Sequence, residues 1–146
     1  MFTVSILVME DEVDLQERFR MSFPVLASRG HALFRQELLA EFLEVDFEVK
    51  VAFVSTPSLV RETLLEGASF DVVVSDGTGW LEAAKFVASR FPVIGYTGSR
   101  EDMQSFEEMG IIAFLKSANN VGKRRTCLGV CAEALKFALR RRATRS

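Results

Sequence analysis

Residues 70–77 read FDVVVSDG. Three consecutive valines between two aspartates make an uninterrupted β-branched run, the pattern of a short strand covered on both faces, and the glycine after the second aspartate stops it. Four more apolar runs flank this one: Thr3 to Met9, Phe47 to Val54, Val93 to Tyr96 and Ile111 to Leu115. The segments between them carry helical punctuation. Thr56 is placed to cap a helix with Pro57 at its first position, Gly67 to end it, and Gly110 to close REDMQSFEEM. A last amphipathic segment, Val121 to about Arg142, sets Leu128, Cys131, Leu135 and Ala138 on one stripe and gathers Lys and Arg in its final turns. Five strands alternating with five or more helices predict an α/β fold, a parallel sheet with helices on both faces.

The composition agrees with one compact domain over residues 1–146: 49% apolar, 26% charged, formal net charge −2. Aromatic content is 13 Phe against one Trp and one Tyr, which serves core packing more than base stacking, and the near-neutral charge argues against a general nucleic-acid binder. The basic tail RRRATRS is read as helix-dipole complementarity and not as a DNA-binding arm. No run approaches the roughly 20 apolar residues that span a bilayer, and the N-terminus lacks the basic region of a signal peptide. Cys127 and Cys131 lie four apart on a helical segment and read as core thiols, with His31, the sole histidine, far away in sequence. These features predict a cytoplasmic protein with no membrane and no nucleic-acid partner.

In a parallel α/β sheet, ligands bind beyond the carboxyl ends of the strands. Those ends carry Glu10 and Asp11, Asp76, Thr97 and Lys116. Carboxylates brought together repel one another unless a cation binds, and such hard oxygen ligands suit Mg²⁺. A carboxylate also serves as a nucleophile toward phosphorus when metal and ammonium neutralise the phosphoryl oxygens and a hydroxyl donates to another. Any one of these acids alone could simply cap a helix; the agreement of all four strand ends is what points to chemistry.

These residues resemble the receiver domains of bacterial two-component response regulators. ILVMEDE is similar to that family's first strand with its acidic pair, FDVVVSD to the strand that delivers the phosphoacceptor, FPVIGYTG to the strand ending in Thr or Ser, and AFLKS to the strand ending in Lys. The resemblance implies a flavodoxin-like three-layer (βα)5 fold with a central five-stranded parallel sheet. It implies that Asp76 accepts a phosphoryl group from a histidine kinase, a phosphotransfer protein or a small phosphodonor. Asp11 would ligate Mg²⁺ directly, Glu10 through water, and Asp76 and the Thr78 backbone carbonyl would complete the protein ligands. Thr97 would hydrogen-bond the phosphoryl group and Lys116 would pair with it. Output would be a population shift read by a downstream protein target, with a homodimer as one form of contact, and no turnover enzyme is implied.

The sequence departs from the family pattern in four places. The Asp76-to-Thr97 interval is short, Ser117 stands where Pro is usual, and Phe114 or Ala113 falls at the position of the switch aromatic. The Asp11-to-Asp76 interval is long by about twenty residues, more than register error accounts for. The excess, residues 24–46, predicts either an added helix after a Pro24 to Gly30 break or a lengthened first helix, with Phe34, Leu38, Phe42 and Val45 at helical spacing. Extra packing is its simplest role and a partner or dimer surface the sharper one; His31 reads as an exposed loop residue.

Two other functions fit parts of the pattern. A pseudo-receiver would keep the fold and bind partners without phosphorylation. A haloacid-dehalogenase-like phosphatase would use SDGTG, but its nucleophilic Asp would fall at Val74.

Overall fold

The structure, a computed structural model, describes residues 2–28 and 30–145. Met1 and Ser146 at the predicted domain ends, and Arg29 in the predicted Pro24–Gly30 break, lie outside them. Strand β1 (Phe2–Met9) is followed by helix α1 (Val13–Ala27), helix α2 (Ala32–Ala40) and β2 (Phe47–Val54). A 3-10 turn over Pro57–Leu59 leads into α3 (Val60–Leu65), then β3 (Val72–Ser75), α4 (Leu81–Ala88) and β4 (Val93–Thr97). The chain closes with α5 (Arg100–Glu108), β5 (Ile112–Lys116), β6 (Arg124–Arg125) and α6 (Cys127–Arg145).

The sheet runs β2-β1-β3-β4-β5-β6 with every neighbouring pair parallel. Strand order reverses between β1 and β3, and this is the flavodoxin-like winding whose ligand crevice opens at that switch point. Alternation along each strand sends successive side chains to opposite layers. Val4, Ile6, Val8, Val72, Val74, Ile94 and Tyr96 pack against Phe19 and Phe23 of α1, Leu38 of α2 and Leu135 of α6. Leu7, Met9, Val73 and Val93 meet Leu64 of α3, Ala84 of α4, Phe106 of α5 and the buried Trp80. Each large apolar side chain so enclosed contributes about 1.5–3 kcal/mol before entropy is set against it.

The five predicted strands are present, and a two-residue sixth, β6, is added at the edge. Residues 117–126 account for it. The Lys123 carbonyl accepts from Leu115 N–H at 2.7 Å and the Arg125 carbonyl from Ser117 N–H at 3.0 Å, so this segment pairs with β5 before the last helix begins at Cys127, not at Val121. Leu128 is consequently left on the surface while Cys131, Leu135 and Ala138 are buried; Cys127 is half-buried.

The region 24–46 forms an added helix, but the break before it comes late. Pro24 lies inside α1, where it gives up a hydrogen bond to the Arg20 carbonyl, and the chain turns only at Ser28–His31. His31 is not a free loop residue: its Nδ1 accepts from Phe34 N–H at 3.3 Å and caps α2. Thr56 precedes its turn without a side-chain cap, its hydroxyl facing Ser58 Oγ at 3.3 Å instead. Phe34 and Leu38 are buried as their spacing predicts, whereas α2 stops at Ala40 and Phe42 is exposed.

Candidate functional site

Glu10 follows β1 and is pinned by its N–H to the Val54 carbonyl at 3.1 Å, while Asp76 follows β3 and is pinned by its N–H to the Met9 carbonyl at 2.9 Å. These backbone bonds continue the two ladders that flank β1 and set the acids side by side at the switch point. One carboxylate oxygen from each of Glu10, Asp11 and Asp76 lies within 4.8 Å of the others. Glu10 is only 2% exposed, and Asp11 faces solvent. Gln16 of α1 ties the turn down, donating to the Glu10 carbonyl at 2.5 Å and to Ser55 Oγ at 3.1 Å.

Lys116 ends β5 on the same edge, with Nζ 3.2 Å from Asp76 Oδ1 and 3.4 Å from Glu10 Oε1. Burial opposes its charge, but Asp76 and Glu10 outweigh burial and hold the ammonium above its ordinary range. Glu10 accepts from the N–H groups of Asp11 and Glu12 at 3.0 and 3.4 Å. Even so, burial, followed by the hydrogen bond with Asp76, pushes its carboxyl up to about 8 against the pull of Lys116. Three carboxylates facing one ammonium leave unbalanced negative charge, and an all-oxygen set open to solvent on the Asp11 side fits a hard divalent ion such as Mg²⁺, which retains water ligands.

Thr97 ends β4 as predicted, 2% exposed, but its hydroxyl is engaged by groups other than the acid cluster. It accepts from Ser99 N–H at 3.1 Å and donates, at a long 3.5 Å, to Asp102 Oδ2. The same Asp102 oxygen accepts from the Thr78 hydroxyl at 2.5 Å. Asp102 therefore gathers two hydroxyls directly over Gly77. A Cβ on Gly77 would lie 2.4 Å from Thr97 Oγ1 and 2.8 Å from Asp102 Oδ2, so only glycine fits after Asp76.

Asp102 is the site residue that sequence reading missed. Its signal is SRED, Ser99 to Asp102, the spacing of a capping box. Ser99 caps α5 by accepting from Asp102 N–H at 3.2 Å, but the reciprocal bond is diverted: Ser99 N–H goes to Thr97, and the Asp102 carboxylate turns to Thr97 and Thr78.

Phe114 does not take the place expected of a switch aromatic. It pairs in register with Tyr96 and packs in the layer of α1 and α6, with the Arg125 guanidinium 4.8 Å above its ring. Thr97 points to the opposite layer, where the β5 residue is the buried Ala113. Strand alternation separates the two, so no aromatic of β5 backs Thr97. A cavity of about 500 Å³ opens between Lys116, Tyr96, Arg18 and Cys127 on the α1–α6 side.

No family model matches the sequence, and no curated protein matches it either. Solved structures do. A CheY-like response regulator receiver domain protein from Methanospirillum hungatei JF-1 is 16% identical, covers 99% of this chain and 99% of its own, and superposes with a TM-score of 0.61. The BeF3-activated DrrB receiver domain is 18% identical over 92% of this chain and 97% of its own, with a TM-score of 0.57. TrrA of Thermotoga maritima, solved in complex with Mg²⁺ and BeF, is 19% identical over 93% and 99%, with a TM-score of 0.55. At these identities the likeness establishes the fold: the chain has the architecture of response regulator receiver domains along nearly its whole length.

Proposed function

From that fold and the acid–lysine cluster at its switch point, we propose that this chain is a signalling receiver that accepts a phosphoryl group on Asp76. The observation that carries the reading is the meeting of Glu10, Asp11 and Asp76 within 4.8 Å, with Lys116 Nζ spanning Glu10 and Asp76. Asp76 is the nucleophile: a carboxylate oxygen bonds to phosphorus as the donor's P–N or P–O bond breaks. The electron pair departs with the imidazole of a phosphohistidine on a kinase or phosphotransfer protein, or with the carboxylate of an acyl phosphate. Glu10, Asp11, Asp76 and the Thr78 backbone carbonyl are the groups to hold Mg²⁺, which when bound supplies charge neutralisation for the phosphoryl oxygens. Lys116 pairs with one of those oxygens. Thr97 donates its hydroxyl to another after leaving Asp102.

Output is by contact with a downstream protein, through a population shift on the face of α5, β5 and α6. With Ala113 where an aromatic would stand behind Thr97, the shift runs through the Thr97–Asp102 contact and α5. The chain is not a turnover enzyme in this reading, and it works in the cytoplasm.

The same Asp102 contact and the small Ala113 favour a second reading, a pseudo-receiver that binds its partner without phosphorylation. Beryllofluoride with Mg²⁺ separates the two. A saturable adduct on the wild type that disappears in Asp76→Asn supports acceptance at Asp76; no adduct, or one that survives the substitution, favours the pseudo-receiver.

A further inference from the structure

The cavity of about 500 Å³ beside Lys116 has in its wall a thiol that the phosphoryl site does not use. Cys127 is the first residue of α6, half-buried, and lines this cavity. One turn further along the same helix face, Cys131 is fully buried. Donors and cations gather round the outer sulfur. Ser22 of α1 donates its hydroxyl to Cys127 Sγ at 4.0 Å. Arg18 of α1 and Lys116 of β5 line the same space. The Thr126 hydroxyl accepts from Gly129 N–H at 3.0 Å and caps α6, so the positive end of that helix lies at Cys127.

These surroundings act oppositely on the two sulfurs. A hydrogen bond from the Cys131 thiol, joined by Ser22, Arg18 and Lys116, holds Cys127 below the ordinary thiol range against burial. Burial, followed by the bond to Cys127, drives Cys131 well above that range. The thiolate is the nucleophile, so the accessible sulfur reacts while the buried one keeps its proton. Residues four apart on a helix have Cα atoms about 6 Å apart, within reach of a disulfide. Their Cβ atoms, about 5–6 Å apart, exceed the usual span of about 3.5–4.5 Å, so closure requires Cys127 to swing inward. As the first residue of α6 it has no intrahelical partner for its N–H, and Gly129 between the two sulfurs leaves the turn pliable.

We infer that Cys127 and Cys131 form an oxidisable dithiol whose substrate is hydrogen peroxide. The Cys127 thiolate attacks one peroxide oxygen, the O–O bond breaks, and the departing hydroxide takes up a proton as water, leaving a sulfenic acid. The Cys131 sulfur then attacks the Cys127 sulfur, the S–O bond breaks, and hydroxide leaves with the Cys131 proton as a second water. Two thiols are oxidised to one disulfide and one peroxide is reduced to two waters. Closure draws Cys127 off Ser22 and shifts the cavity wall that Lys116 shares, whether or not Asp76 is phosphorylated. Thiol counting and intact mass after limiting hydrogen peroxide at neutral pH test the inference. The wild type loses both thiols and two hydrogens in mass, stays a single chain, and is restored by dithiothreitol. Cys131→Ser, which keeps a donor beside Cys127, reacts at a similar rate but stops at a sulfenic acid that dimedone traps. Cys127→Ser reacts about tenfold more slowly, and Arg18→Gln, at an exposed position, about threefold more slowly. A wild type that keeps both thiols overturns the inference. So does a Cys127→Ser or Arg18→Gln variant as fast as the wild type, or a disulfide formed only between chains.

Discussion

Glu10 is 2% exposed, and its charged form is opposed first by burial and then by Asp76, which together push its carboxyl from 4.5 to about 8. A folded-state value above the unfolded one means that the folded chain binds the extra proton. The stability from that proton is fully present below about 4.5 and is lost as pH rises through about 8. In metal-free buffer the thermal midpoint should therefore fall across this window. Glu10→Gln should flatten the fall and, near its upper end, exceed the wild type by on the order of 1 kcal/mol, while weakening Mg²⁺ binding measured by calorimetry. A wild type that is equally stable at both ends would contradict the assignment of Glu10 as a strained acid. Asp102 acts at the same scale. Its carboxylate holds Thr97 and Thr78 and places a negative charge beside the position we propose for the phosphoryl group. Asp102→Asn should raise the rate of modification by acetyl phosphate by about threefold to tenfold, on the order of 1 kcal/mol; an unchanged or lower rate would show that Asp102 does not restrain Thr97.

Strands were legible in the sequence because each is a β-branched or aromatic run between polar or glycine breaks; FEVKVAFV was placed to the residue. Helix ends were less legible. Spacing alone carries the added helix through Phe42 to Val45, but the Leu43 and Phe42 amides fold back onto Leu38 and Leu39 and end it at Ala40. Pro24 read as a break because proline removes a bond, yet Phe23 and Leu26 on either side of it are buried in the core, and that packing carries α1 past it. The segment NNVGKRR holds no apolar run, so β6 was invisible: its pairing depends on the free edge of β5. Helix α2 itself is part of the core, and Leu38 is fully buried. Leu38→Ala should cost about 2–5 kcal/mol in urea unfolding; a cost under about 0.5 kcal/mol would instead make α2 a loosely held appendage.

Across the whole molecule, the winding β2-β1-β3-β4-β5 brings three separate strand ends, those of β1, β3 and β5, into one cluster, and that much is legible in Glu10, Asp11, Asp76 and Lys116 without any geometry. Asp102 and the exclusion of Phe114 from the Thr97 side could not, because both depend on which layer a side chain enters and on how a helix cap shares its donors. The central claim is that this crevice delivers Asp76 to phosphorus. The most direct test is the intact mass of the protein after incubation with acetyl phosphate and Mg²⁺, followed by peptide mapping of the acid-stable adduct. One added phosphoryl group is expected, located at Asp76, dependent on Mg²⁺ and absent in Asp76→Asn. An unmodified wild type, or a phosphoryl group on another residue, would contradict it.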